Sequence, residues 1–311
     1  MKIKSCPICN GTKLNSTNYT LNPNQNFWNF DCFKGKTLST CEKCNFTFTA
    51  EVFEKESLSK FYNSLYTGST VSSFKRTENY EFTPRFFSHL KFLETNIDLI
   101  DGMNVLEIGP NEVGMIPTFK LFCNPNYYYF DQLEFPIINY FGGKRLGKYF
   151  SKKIIAELDS KIQMDLIVSS HSFEHFEPQN LNQDVETIKN ILKPNGYISI
   201  EVPLELIGEM HPPHTQFFNV KNMSFLFEKH GFEIVSTQSI NSFAKIENDR
   251  EILTSLKSSR KLINIIKSLL SILIPRKIRI RLLKPIYNKN LKALYDGKPY
   301  MRILAQKKSN N

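Results

Sequence analysis

The sequence predicts an α/β protein. A doubly wound domain with a mainly parallel sheet is fronted by a small cysteine-knuckle module and interrupted near its end by a basic helical segment. Three observations predict this. Strand and helix patterns alternate between residues 103 and 237, two Cys-x-x-Cys pairs lie within the first 44 residues, and positive charge gathers in the last fifth of the chain.

The 311 residues, 41% of them hydrophobic, suffice for a large core and more than one module. The start, MKIKSCPICN, is charged and lacks an apolar h-region, so no secretory signal is expected. The longest greasy run, Leu262 to Ile274, contains Asn264 and Lys267 and is too short to span a bilayer. The expectation is a cytoplasmic chain whose cysteines are reduced or metal-bound. The net charge is +10, yet residues 250–311 alone carry 16 Lys/Arg against Glu251 and Asp296, which leaves residues 1–249 mildly acidic. A uniformly basic nucleic-acid binder would not be patterned this way.

Residues 1–50 read as a zinc-ribbon-like module. Cys6-Pro-Ile-Cys9 and Cys41-Glu-Lys-Cys44 each fit a tight knuckle that aims two thiolates at one point, and two knuckles supply four sulfurs at tetrahedral corners, the set that suits structural zinc. Such a closed site leaves no open position for catalysis, so the module should fold and present surface. Cys32 reads as a spare and Cys123 as a core thiol. Residues 51–82 read as a helix over 54–65 and a linker containing TGSTVSS.

The main domain is expected over 83–244 and 299–311. A helix fits 84–99, with Pro84 in its first turn and Asp101-Gly102 ending it. Strands fit 103–108, 126–130, 147–150, 164–169, 197–202 and 232–237. Helices fit 113–123, 133–141, 152–160, 180–193 and 220–230, and Lys193-Pro-Asn-Gly196 and Lys229-His-Gly231 mark turns just before strands. In such a sheet, ligands bind beyond the carboxyl ends of the strands.

The stretch VLEIGPNEVG, 105–114, runs a strand into a loop with Gly109 and Gly114, a G-x-G-x-x-G pattern whose middle glycine is Asn111. Glu107 lies at the strand's carboxyl end, and Asp131 ends the next strand, where a carboxylate can accept both ribose hydroxyls of a nucleoside. A side chain at position 111 obstructs the close approach a pyrophosphate needs. S-adenosylmethionine has no phosphate, so the loop favours it over a dinucleotide.

With these motifs in view the chain resembles the class I S-adenosylmethionine-dependent methyltransferases, specifically those with an N-terminal cysteine-knuckle module. VLEIGPNEVG resembles their first motif, FDQ their second-strand acid, MDLIVSSHSFEHF (164–176) their fourth-strand signature and ILKPNGYISIEVP (191–203) the helix-turn-strand after it. Residues 211–235 resemble a segment of sugar-modifying members, and MRILAQKK (301–308) their closing strand. The resemblance implies a seven-stranded Rossmann-like sheet, with Glu107, Gly109, Pro110, Asn111, Gly114, Asp131, Ser169 and Ser170 lining the cofactor. Asn111 and Val113 stand where the family has glycines, and the acid customary after the third strand is replaced by SKK near residue 151.

For methyl transfer to a hydroxyl the protein must align the acceptor and remove its proton, a task for histidine. His171 and His175 follow the fourth strand, and His211 and His214 lie in the loop after the fifth; His171, His211 and His214 are the candidate catalytic residues. Glu174 and His175 also suit a merely structural role in holding the loop. His89 and His230 fall in helices and read as remote. His171-Ser-Phe-Glu174-His175 spells the H-x-x-E-H of inverted zinc proteases as well, but that motif needs both histidines on one helix.

Residues 245–298 read as an insertion between the sixth strand and the last, leaving from the active-site side. Leu262, Ile265, Leu269 and Leu273 recur at helical spacing among Lys and Arg, so 250–292 can pack as a lid, bind an acidic substrate or touch an anionic membrane surface. The leading expectation is O-methylation of a sugar or sugar-containing metabolite, a small molecule or glycan, in surface polysaccharide assembly. The alternatives are an RNA methyltransferase and a non-catalytic scaffold with a degenerate pocket. The front module's Glu42, Glu51, Glu54 and Glu56 argue against nucleic acid.

Overall fold

The computed structural model describes residues 2–19, 31–54, 56–61, 84–110, 114–131, 134–148, 150, 162–205, 213–240 and 299–309. The expected helix at 152–160, the linker after 61 and the insertion at 245–298 lie outside the described residues.

Three short strands, β1 (Leu14–Asn18), β2 (Thr37–Cys41) and β3 (Thr47–Thr49), form an antiparallel sheet at the front. The main domain then runs α1 (Pro84–Asn96), β4 (Asn104–Ile108), α2 (Ile116–Phe122), β5 (Asn126–Phe130), α3 (Pro136–Tyr140), β6 (Lys144–Gly147) and β7 (Met164–Ser170). It continues with α4 (Leu181–Ile191), β8 (Leu192–Pro203), β9 (Gln216–Phe217), α5 (Val220–Lys229), β10 (Phe232–Ile240) and β11 (Tyr300–Lys307).

The main sheet has seven strands in the order β10-β11-β8-β7-β4-β5-β6. Strands β6, β5, β4, β7 and β8 are parallel neighbours, and β11 inserts antiparallel between β8 and β10. The expected doubly wound seven-stranded sheet is therefore present. Chain direction reverses its march across the sheet between β4 and β7, which opens a crevice at their carboxyl ends. The strands are apolar on both faces because both are covered. Leu106, Ile108 and Ile167 pack with Val185, Ile188, Leu226 and Phe227 on one side. Val105, Leu166 and Val168 pack with Leu90, Leu93, Ile116, Phe119 and Ile138 on the other. Adjacent residues of one strand thus serve opposite cores, the period-two signature of a pleated strand.

Two differences from expectation bear on the site. The third parallel strand is 144–147, not 147–150, because the Gly142-Gly143 turn, with Gly142 at φ +89, restarts the chain earlier than its Tyr149-Phe150 pair suggests. The front sheet also takes a fourth strand, β9, from the main domain; Thr47 and Phe48 pair with Phe217 and Gln216. Phe217 then joins Tyr19, Phe33, Leu38, Phe53 and Phe61 in a small core of its own.

Candidate active site and cysteine cluster

The four sulfurs of Cys6, Cys9, Cys41 and Cys44 lie within 4.8 Å of one another. Cys6 and Cys44 are 3.5 Å apart at sulfur, as are Cys9 and Cys41. Zinc–sulfur bonds of about 2.3 Å would space tetrahedral ligands by about 3.8 Å, so the set fits the cation. The two knuckles repeat one design. The N–H of Asn10 donates to the carbonyl of Cys6 and that of Asn45 to Cys41, each Asn in the left-handed region at φ 57 and 55. Burial pushes the Cys6 thiol well above its ordinary range and the Cys44 thiol up to about 11. Burial would raise Cys41 as well, but the N–H groups of Cys44 and Lys43 bring it below the usual value. Thiols kept protonated by burial ionise when a cation is supplied. The knuckles are clasped to the main domain, where Asn182 Nδ2 donates to the Pro7 carbonyl at 2.7 Å and Lys229 Nζ to that of Ile8 at 3.0 Å.

At the crevice, Gly109 leaves β4 at φ +66 and its carbonyl accepts from Ser172 Oγ at 2.7 Å. A Cβ on Gly109 would stand 2.4 Å from that oxygen, so the turn requires glycine. Glu107 faces the loop's return, where its carboxylate accepts from the Met115 N–H at 2.9 Å and from the Tyr127 hydroxyl. Gly114 sits against it at φ +60. Pro110 is buried; Asn111 lies outside the described residues. Asp131 is buried directly after β5, its N–H bonded to the Gly147 carbonyl and its own carbonyl accepting from Arg145. A glycine turn and an acid at the ends of neighbouring parallel strands fit a nucleoside whose ribose meets a carboxylate.

Ser169 is buried in β7, and Ser170 Oγ donates to Glu201 Oε1 at 2.9 Å. His171 follows at φ 54, a left-handed conformation that costs a non-glycine residue energy and re-aims its side chain. Its Nε2 stands 3.5 Å from Glu201 Oε1 and its Nδ1 3.8 Å from Glu174 Oε1. His171 thus ends a strand, and residues 173–175 form one 3-10 turn, so the helix an inverted zinc protease needs is not there.

His214 arrives beside them from the loop before β9. His175 Nδ1 donates to the Pro213 carbonyl at 3.3 Å, and His214 Nδ1 to Glu205 Oε1 at 2.7 Å. The two imidazoles lie 4.9 Å apart between centroids. Packing around its ring, then the neighbouring His214, pulls the His175 pKa down to about 3, which keeps it neutral. His211 lies outside the described residues.

Sequence reasoning missed Glu201, Glu205 and Arg302. Glu201 and Arg302 are fully buried, with Arg302 Nε 2.6 Å from Glu201 Oε2. Arg302 also donates to Ser88 Oγ and Gln238 Oε1 and lies over the Tyr300 ring. His89 is not remote as expected: it bonds Ser199 and stands 3.9 Å from Glu201 on the side away from His171. The readable signal was an acid and a base inside two largely apolar strands, ISIEV and MRILA.

The family described as Methyltransferase domain matches residues 80–237, just over half the chain. Among solved structures, the 1,6-didemethyltoxoflavin N1-methyltransferase of Burkholderia thailandensis is similar with 14% identity and TM-score 0.48, over 89% of this chain and 97% of that one. The cyclopropane synthase of Mycobacterium tuberculosis is similar with 16% identity and TM-score 0.43, over 71% of this chain and 83% of the other. No curated protein matches the chain.

Proposed function

The chain belongs to the methyltransferase-domain family and is an S-adenosylmethionine-dependent enzyme, and from that premise we propose that it methylates a hydroxyl of a sugar or sugar-containing metabolite. One observation carries this reading: His171, His175 and His214 converge on Glu174 beside the Gly109 turn. Imidazoles gathered at a strand exit suit an acceptor that must give up a proton.

S-adenosylmethionine supplies an electrophilic methyl group on a sulfonium. Gly109, Pro110 and Gly114 shape the turn that holds it, with Glu107 bracing that turn and Asp131 meeting the ribose. His171 takes the acceptor's hydroxyl proton, and Glu174, 3.8 Å from its Nδ1, balances the resulting imidazolium. His175 and His214 hold the acceptor. Structural zinc at Cys6, Cys9, Cys41 and Cys44 keeps the front module folded against the main domain.

The test is incubation with labelled S-adenosylmethionine and a panel of nucleotide sugars, glycans and RNA. Label in the sugar arm is expected. Label in RNA alone would replace the sugar reading. His171→Ala is expected to lower turnover at least about 100-fold with unchanged affinity for S-adenosylhomocysteine; a wild-type rate would remove His171 from the chemistry.

A further inference from the structure

We propose that Glu174, His175 and His214 form a binding site for one divalent transition-metal cation, separate from the four cysteines, whose open positions take two neighbouring oxygens of the acceptor. The role assigned to the open positions rests on the methyl-transfer reading; the site itself does not.

The hydrogen bonds around the rings fix what they present. His175 Nδ1 faces a backbone carbonyl and His214 Nδ1 faces a carboxylate, and neither partner can donate. In their neutral form both rings therefore carry the proton on Nδ1 and present a lone pair on Nε2. Both Nε2 atoms then point at one oxygen, lying 3.9 Å from Glu174 Oε1 in each case. Three electron-pair donors thus converge, all within 4.8 Å of one another. Three such donors set a local field that a positive charge placed between them would satisfy.

A divalent cation supplies that charge. With metal–nitrogen and metal–oxygen bonds of about 2.0–2.2 Å, tetrahedral ligands sit about 3.4 Å apart. The two Nε2–Oε1 separations exceed this by roughly half an ångström, a closure within reach of side-chain torsions.

The surroundings match a metal site in two further ways. The Glu205–His214 and Pro213–His175 hydrogen bonds are the outer contacts that orient a ligating imidazole and raise its basicity. Glu174 and Glu205 together balance two positive charges, while Glu201 is already paired with Arg302. Two histidines and one carboxylate suit Fe²⁺, Zn²⁺, Co²⁺ or Mn²⁺ and leave coordination positions open.

The site's position gives those openings a use. Glu174 is two residues from Ser172, which touches the Gly109 turn, and next to His171 across 3.8 Å. A hydroxyl bound there loses its proton more readily, with His171 beside it to accept it. Adjacent oxygens of a sugar, as in a vicinal diol, fit two open positions.

The test uses the full chain stripped of metal and titrated with Co²⁺. Two equivalents are expected in the wild type. The four-thiolate site reports itself by intense sulfur-to-cobalt charge transfer; the second adds a weaker visible band without it. Glu174→Gln and His175→Ala should each bind one equivalent and keep the charge-transfer band, which also shows that they fold. As a readout without substitution, Mn²⁺ binding to the wild type, followed by electron paramagnetic resonance, should saturate at one equivalent. A single cobalt in the wild type with no Mn²⁺ bound, or two cobalts in both variants, overturns the proposal. S-adenosylhomocysteine binding, measured by calorimetry on the same sample, separates the two readings. Nucleoside binding without the second metal defeats the cation site alone, and the second metal without nucleoside binding supports the site while defeating the methyl-transfer reading.

Discussion

Arg302 and Glu201 show how much a single pair can hold in place. Both are fully buried, and Glu201 links Ser170 and His171 on one side to His89 and Arg302 on the other. Removing one member of such a pair leaves the other charge desolvated. Arg302→Leu is therefore expected to destabilise the chain by about 3–5 kcal/mol in denaturant unfolding, and adding Glu201→Leu should restore part of the loss. A single variant within about 1 kcal/mol of wild type would show that the pair does not govern this corner. Asp184 makes the complementary case for pH. Burial, then the charge of Glu177, raises its pKa from 3.8 to about 7. Between those values the folded state holds a proton the unfolded state has released, so stability falls as pH rises through the window. Asp184→Asn removes that loss. Its Tm should exceed wild type by roughly a few degrees at pH 8 and match it near pH 4; equal Tm values at pH 8 would refute the buried-acid account.

Strand β9 is the element on which the two halves depend. It gives only Gln216 and Phe217 to the front sheet, yet one residue alone separates it from His214, and Tyr19 of the front module donates its hydroxyl to the His214 carbonyl. Loosening the knuckles should therefore be felt at the crevice. Removal of metal by a strong chelator is expected to speed amide exchange over 37–49 and 216–217 while β4, β5, β7 and β8 keep their protection; unchanged exchange over 37–49 would end the structural-zinc reading. The same element shows where the sequence stops being readable. The long apolar strands and the Cys-x-x-Cys spacing announce themselves locally, because period-two burial and knuckle turns depend on near neighbours. A two-residue strand has no period to detect, and its partner, β3, lies about 170 residues away in the chain. The Glu201–Arg302 pair was hidden for the same reason, since its members meet across β8 and β11. Glu174, by contrast, was visible as a motif, but its role was not, because that depends on which way two imidazoles present their lone pairs.

Across the whole molecule, functional side chains gather at one edge of the main sheet. Gly109, Asp131, His171 and Glu201 all stand at or just past the carboxyl ends of parallel strands, where the crevice opens. The positions flanking 241–298 lie at that edge too: β10 is antiparallel to β11, which is antiparallel to β8, so β10 ends where β8 ends. Among the described residues no helix is long and apolar enough to cross a membrane. Ile240 pairs directly with Tyr300 and Tyr300 with Pro203, so a tight hairpin turn could join β10 to β11 without disturbing the sheet. Replacing 241–298 by a short Asn-Gly-containing turn is accordingly expected to leave folding and S-adenosylhomocysteine affinity unchanged, because both rest on β4, β5 and the two cores. Acceptor turnover should fall if the segment serves as a lid, since its two flanks, Ile240 and Tyr300, stand at the crevice edge. A truncated chain with full acceptor turnover would refute the lid reading. If turnover is kept while binding to vesicles of anionic lipid is lost, the deleted 241–298, with 14 Lys/Arg against 4 Asp/Glu, acts as a surface anchor instead.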